Sequence, residues 1–166
     1  MHFFLDRLES PIGTILLVTD GAALRALDFL DFEPRMRRLF KLHYGPQPLL
    51  ENPENLGIKR SLIAYFSGDL SSLDNLIVRT EGTAFQQRVW AQLREIRAGT
   101  TITYGELAKR IGRPGASRAV GLANGSNPIA IVVPCHRVIG STGALTGYGG
   151  GIERKRWLLQ HEAAHT

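Results

Sequence analysis

Thr103-Tyr104-Gly105-Glu106-Leu107-Ala108-Lys109-Arg110-Ile111-Gly112-Arg113-Pro114-Gly115-Ala116-Ser117-Arg118-Ala119-Val120-Gly121-Leu122-Ala123 decides how the second half of this chain folds. Thr103 with Glu106 three residues on is the pattern of a capping box, so a short helix is predicted over Tyr104 to Ile111, stopped by Gly112. Gly112-Arg113-Pro114-Gly115 is turn chemistry, and Ala116 to Ala123 reads as another helix. Two short helices around a tight glycine-containing turn have the form of a helix-turn-helix. Many helical hairpins share that form, so the pattern needs support from its surroundings.

Upstream, Thr83 and Gln86 make a first capping box. Phe85, Val89, Leu93 and Ile96 then mark one buried helical face before Gly99. The first 80 residues read differently. Ile12 to Thr19 is β-rich, Asp20-Gly21 is a turn signal, and Leu24 to Phe29 returns antiparallel. Pro34 suits a first helical position, with Met36, Leu39 and Phe40 as an apolar stripe, and a further helix is predicted from about Leu56 to Phe66, closing at Gly68. The predicted class is therefore α+β in two lobes: residues 1–80 a supporting sheet-plus-helix lobe, residues 81–166 a helical lobe that carries the chemistry.

Charge separates the same halves. Residues 1–80 hold 9 basic and 10 acidic side chains, net −1, while residues 81–166 hold 11 and 5, net +6. A polyanion, DNA or RNA first, is the partner this asymmetry suggests. No apolar run approaches the ~20 residues of a membrane helix, and Met1 to Asp6 lacks the basic start of a signal peptide. One cysteine among 166 residues allows no internal disulfide, which suggests the reducing cytoplasm. A single Cys with five scattered His gives no standard zinc spacing.

The second helix of the hairpin has an unusual composition: Ala, Ser and Gly, with Arg118 its one long polar side chain. Small residues let a neighbouring helix pack closely. They equally let a helix press into a narrow groove, such as the ~6 Å minor groove of B-DNA. Both readings stand on sequence alone.

Asn127-Pro128-Ile129-Ala130-Ile131-Val132-Val133-Pro134-Cys135-His136-Arg137-Val138-Ile139-Gly140 carries the chemistry. Ile129 to Val133 is predicted as a buried strand or extended segment that delivers Cys135-His136-Arg137. Neighbouring positive charge favours a thiolate over the ordinary thiol pKa of about 8.5. Adjacent residues of an extended chain point to opposite faces, so either a turn follows Pro134 or a water bridges Cys135 and His136. In a last predicted helix, Glu153 to Glu162, Glu162 shares a face with Leu158 and Leu159. A carboxylate on a buried face needs a partner, and His136 is the candidate. Cys135, His136 and Glu162 would then be nucleophile, base and orienter; the alternative is a solvated terminal Glu.

These residues resemble the O6-alkylguanine-DNA alkyltransferases. The likeness rests on Tyr104-Gly105-Glu106-Leu107-Ala108, Ser117-Arg118-Ala119-Val120-Gly121, Asn127-Pro128, Pro134-Cys135-His136-Arg137-Val138, Gly147-Tyr148-Gly149-Gly150-Gly151 and Trp157-Leu158-Leu159-Gln160-His161-Glu162. It is dense over residues 83–162 and loose before them, where the first lobe looks most like the constitutive bacterial branch. The resemblance implies a ribonuclease H-like first lobe and a winged-helix-like second one. It implies that Cys135 accepts the alkyl group, that His136 is a water-mediated base held by Glu162, and that Asn127 braces the turn before the active-site segment. Tyr104 would protonate the departing guanine, Arg118 would fill the gap left by a flipped nucleotide, and Gly105, Ser117 and Ala119 would line the DNA. Backbone groups around Val138, Tyr148 and Gly149 would read the base edge. The implied substrate is double-stranded DNA bearing O6-alkylguanine or O4-alkylthymine, met by a monomer, with cooperative binding along DNA left open and no cofactor or metal. A thioether has no hydrolytic route back, so each molecule would act once. Cys135 argues against a damage sensor without an acceptor cysteine; a Cys-His-Glu hydrolase would differ by turning over repeatedly.

Overall fold

The computed structural model describes residues 1–51 and 55–166, which divide into two compact units, Met1–Glu81 and Gly82–Thr166. The first is built on a four-stranded sheet of order β3-β2-β1-β4. β1 (Phe3–Ser10), β2 (Gly13–Thr19) and β3 (Leu24–Phe29) form an antiparallel meander, and β4 (Leu49–Glu51) adds in parallel to β1. The Asp20 turn between β2 and β3 holds because its carboxylate accepts from the amides of Ala22 and Ala23 at 2.8 and 2.7 Å. α1 (Glu33–Tyr44), with Pro34 in its first turn, lays Met36 and Phe40 against Phe3, Leu16, Val18 and Ala26. α2 (Leu56–Phe66) follows, as predicted.

β1 and β4 were not legible as strands. β1 mixes charges into its apolar run, and its buried Asp6 is tolerated because Lys59 of α2 pairs with it at 2.9 Å. That partner lies 53 residues away in sequence, out of reach of any local pattern.

In the second unit, α3 (Ala84–Leu93) opens on a complete capping box. Thr83 accepts from the Gln86 amide at 3.1 Å and its own amide donates to the Gln86 side chain at 3.0 Å. The helix stops at Leu93, so Ile96 is buried from the following turn rather than from the helix. α4 (Tyr104–Arg110) and α5 (Ser117–Gly125) are the two helices of the predicted hairpin. Only half of the second capping box forms: Thr103 accepts from the Glu106 amide at 3.1 Å, while the Glu106 carboxylate turns to Arg110 at 3.4 Å. β5 (Ile102–Thr103) pairs in parallel with β6 (Val138–Ile139), and α6 (Ile152–Ala164) closes the unit. No helix of the described residues is long and apolar enough to cross a membrane.

The predicted strand over Ile129–Val133 does not form. The segment is buried throughout, but it folds into tight turns, with Val132 and Val133 donating to Ala130 and Ile129 at 2.8 and 3.0 Å. Ile131 sits at φ 69°, a conformation a β-branched side chain rarely adopts. A run of buried β-branched residues looks the same in a strand and in a buried turn; only tertiary hydrogen bonds decide.

Candidate active site

Asn127 supplies those bonds. Its side-chain oxygen accepts from the Ile129 amide at 3.0 Å and its nitrogen donates to the Val133 carbonyl at 2.8 Å, closing the turn from within. The chain leaves through Pro134 into a single 3-10 turn, Cys135–Arg137. The chain thus turns after Pro134 instead of continuing as an extended strand. From α5, Asn124 reaches the same place: buried, it donates to the Cys135 carbonyl at 3.3 Å. Trp90 of α3 in turn donates to the Ala123 carbonyl at 2.8 Å, fixing α5 against the core. The hairpin helix and the cysteine turn are therefore held by the same short set of bonds.

α6 supplies the charges. Lys155, Leu158 and Glu162 stand at i, i+3 and i+7, all on its buried face. Glu162 meets His136 Nε2 at 2.9 Å, as the sequence suggested, and both side chains are shut off from solvent. Arg137 holds the same carboxylate in a fork, Nε to one oxygen and Nη2 to the other, each at 2.8 Å, and also donates to the Ile96 carbonyl at 2.6 Å. Burial alone would raise the Glu162 carboxyl; His136 and the Arg137 hydrogen bonds reverse this and hold it well below the usual carboxylate range. Burial lowers His136 below its ordinary value despite Glu162, with the Arg137 and Lys155 charges pushing the same way. The consistent state is ionised Glu162, charged Arg137 and neutral His136. His136 Nδ1 has no hydrogen-bond partner among the described residues, so this nitrogen is the one left for a proton.

This corrects the electrostatic part of the sequence reading. Arg137 is committed to Glu162 and His136 is neutral, so neither provides the positive charge expected at Cys135. Lys155 does. Its fully buried ammonium donates to the Val138 and Thr146 carbonyls at 2.6 and 2.8 Å. Burial lowers its pKa, opposed by attraction to Cys135. The sequence reading passed over Lys155, although its place on the apolar face of the last helix, seven residues before Glu162, marked it as buried.

The remaining predicted residues fall on α4, α5, β6 and the turn before α6. Tyr104, at the start of α4, donates to the Thr146 carbonyl at 3.3 Å, and Gly121 of α5 lies against its ring. Tyr148 is buried, its ring edge-on to His136 at 6.5 Å. Val138 offers the carbonyl that Lys155 already uses, with a second lone pair in reserve. Gly149 sits in the turn closed by the Gly151 amide on Tyr148, ahead of α6. Gly105, half-buried in α4, is close enough to Ser117 for a Cβ to reach ordinary contact. Ser117, Arg118 and Ala119 are exposed on α5, whose Val120, Ala123 and Asn124 point inward. The helix thus turns one face to the core and leaves the other in solvent.

Residues 84–164 match the family model described as the 6-O-methylguanine DNA methyltransferase DNA binding domain. A methylated-DNA–protein-cysteine methyltransferase of Shigella flexneri is 48% identical over 162 residues, spanning 95% of this chain and 94% of its own. This chain belongs to the methylated-DNA–protein-cysteine methyltransferases. A Methanosarcina acetivorans member is 49% identical over 157 residues, covering 94% of this chain and 96% of the relative. Among solved structures, the Mycobacterium tuberculosis O6-methylguanine methyltransferase superposes with a TM-score of 0.84 at 45% identity, covering 99% of this chain and 94% of that one. The M. tuberculosis protein in complex with DNA gives 0.84 at 44%, covering 100% and 95%. As a methyltransferase of this family, the chain repairs DNA by moving an alkyl group onto a protein cysteine.

Proposed function

We propose that the acceptor is Cys135 and that the reaction is a single irreversible transfer from O6-alkylguanine, or O4-alkylthymine, in duplex DNA. The observation that carries this is simple: the sequence holds one cysteine, and it lies at the turn where Asn124, Asn127 and Lys155 converge. The Cys135 sulfur attacks the sp³ alkyl carbon, a C–S bond forms, and the bond from that carbon to the base oxygen breaks. The thiol proton passes to His136 Nδ1 through a bridging water, and Lys155 favours the anion before attack. Glu162, kept ionised by Arg137, fixes the ring and stabilises the proton it gains. Tyr104 gives its hydroxyl proton to the departing base, which then leaves neutral; its 3.3 Å bond to Thr146 is long enough to be exchanged for the base.

The reacting atom is out of reach inside a stacked duplex, so the nucleotide must be turned out at a cost of a few kcal/mol. α5 enters the minor groove with Ser117, Arg118 and Ala119 foremost and Gly105 behind them. Arg118 fills the gap, and backbone groups of Val138, Tyr148 and Gly149 meet the base edge. The protein acts as a monomer. The first unit is a ribonuclease H-like support and the hairpin of α4 and α5 belongs to a winged-helix-like lobe.

Intact mass measurement after incubation with O6-methylguanine duplex tests this directly. One CH2 should be gained per molecule, on the peptide bearing Cys135, and Cys135→Ala should gain none while still binding DNA. A modified peptide elsewhere, or several product molecules per protein, would overturn the assignment.

A further inference from the structure

Leu122 is 74% exposed, and no other large apolar side chain among the described residues of Gly82–Thr166 is comparably open to solvent. It lies on α5, whose other outward positions are Ser117, Arg118, Ala119 and Gly125. Leu122 follows Arg118 by four residues, so the two side chains are neighbours on one helix face. Exposed leucines scattered over a surface need no explanation. A leucine placed one turn from an unpaired arginine, on a helix face otherwise reduced to small side chains, is different: it stands mostly in solvent and contributes little to the core. Among the described residues no carboxylate pairs with Arg118, and Lys109 and Arg113 are exposed nearby in sequence, so this half, at net +6, is complementary to a polyanion.

We infer that Leu122 is an apolar contact for duplex DNA, seated on the sugars and base edges of the minor groove beside Arg118. The inference rests on the reading of α5 as the DNA-facing helix. Leucine is among the side chains that press into or between base steps from the minor groove. Such a contact displaces water and not counterions, so its contribution should be nearly independent of salt, unlike that of Arg118.

The test measures affinity of the full chain for an undamaged duplex across a salt series, for Leu122→Ala, Leu122→Met and Arg118→Ala. Leu122→Ala should bind roughly tenfold more weakly at every salt concentration, from loss of part of a leucine's burial. Its salt slope should match the parent's, its Tm should be unchanged, and Leu122→Met should recover most of the loss. Arg118→Ala should lower the slope by about one. If Arg118→Ala weakens binding and Leu122→Ala does not, the inference falls and the reading of α5 stands. If neither has an effect, both fall. A lowered Tm or an altered slope in Leu122→Ala would make the residue structural or electrostatic, and would equally overturn it.

Discussion

Lys155 and Tyr104 share one acceptor: the ammonium of the first and the hydroxyl of the second both donate to the Thr146 carbonyl, at 2.8 and 3.3 Å. One backbone oxygen thus ties the buried ammonium to the proposed proton donor for the base. Lys155→Met keeps the length and apolar stem but deletes the charge. The Cys135 thiol should then titrate higher, because a neighbouring lysine is one of the groups that lower a thiol pKa. Transfer at neutral pH should slow and recover as pH rises. The ultraviolet absorbance of the thiolate against pH checks this, and an unmoved titration would exclude Lys155 as the source of the charge.

Glu162 serves two partners, and the substitution Glu162→Gln separates them. Losing the charge leaves Arg137 buried without a counter-ion, which should destabilise the protein by about 3–5 kcal/mol, as breaking a buried pair does. Transfer by the protein that remains folded should slow as well, since His136 loses the group that stabilises its acquired proton. DNA affinity should change little. Thermal melts report the first effect, and single-turnover rates well below the Tm report the second. A variant that is destabilised but reacts at the parent's rate would assign Glu162 to Arg137 alone.

Most of the second unit could be read from its sequence because the signals are local. The capping residues Thr83 and Thr103, the glycine stop at Gly112 and the apolar face around Leu158 each act within a turn or two. The Glu162–His136 pair was also foreseeable, because a carboxylate on a buried face requires a partner. What could not be read was long-range. Arg137 competes for Glu162 across 25 residues, Asn124 finds the Cys135 carbonyl from another helix, and Asn127 holds Ile131 in a left-handed conformation its side chain disfavours. Each outcome depends on which polar group arrives first at a buried site, and spacing along the chain does not carry that.

His136 makes stability depend on pH in a definite direction. Its pKa in the folded protein is lowered, chiefly by burial, so below the ordinary value of about 6.5 the unfolded chain takes up a proton that the native one does not. Its contribution is therefore fully present above that value and declines as pH falls through it. Half-buried His43 is shifted the same way by burial and adds to the effect. The Tm should fall between about pH 7 and pH 5 in the parent, and His136→Asn should fall less steeply over the same interval. Equal slopes in the two proteins would mean that His136 is protonated in the native state.

Arg118→Ala distinguishes a side chain that replaces a flipped nucleotide from one that only touches phosphate. Arg118 is exposed on α5 and close in sequence to no acid, so its removal should leave the fold unchanged. If it fills the gap in the stack, its loss raises the cost of turning the base out, a step that itself costs a few kcal/mol. Transfer from duplex O6-methylguanine should then slow sharply even when every protein molecule is bound. Transfer from the free base O6-benzylguanine, which has no stack to leave, should be nearly unaffected. A phosphate contact behaves otherwise, because its contribution is lost with salt and recovered by mass action. Saturating DNA at low salt would then restore the parent's rate in full. Single-turnover rates at saturating duplex therefore decide the matter: full recovery removes the gap-filling role, and an equal loss on the free base would place the damage at Cys135 itself.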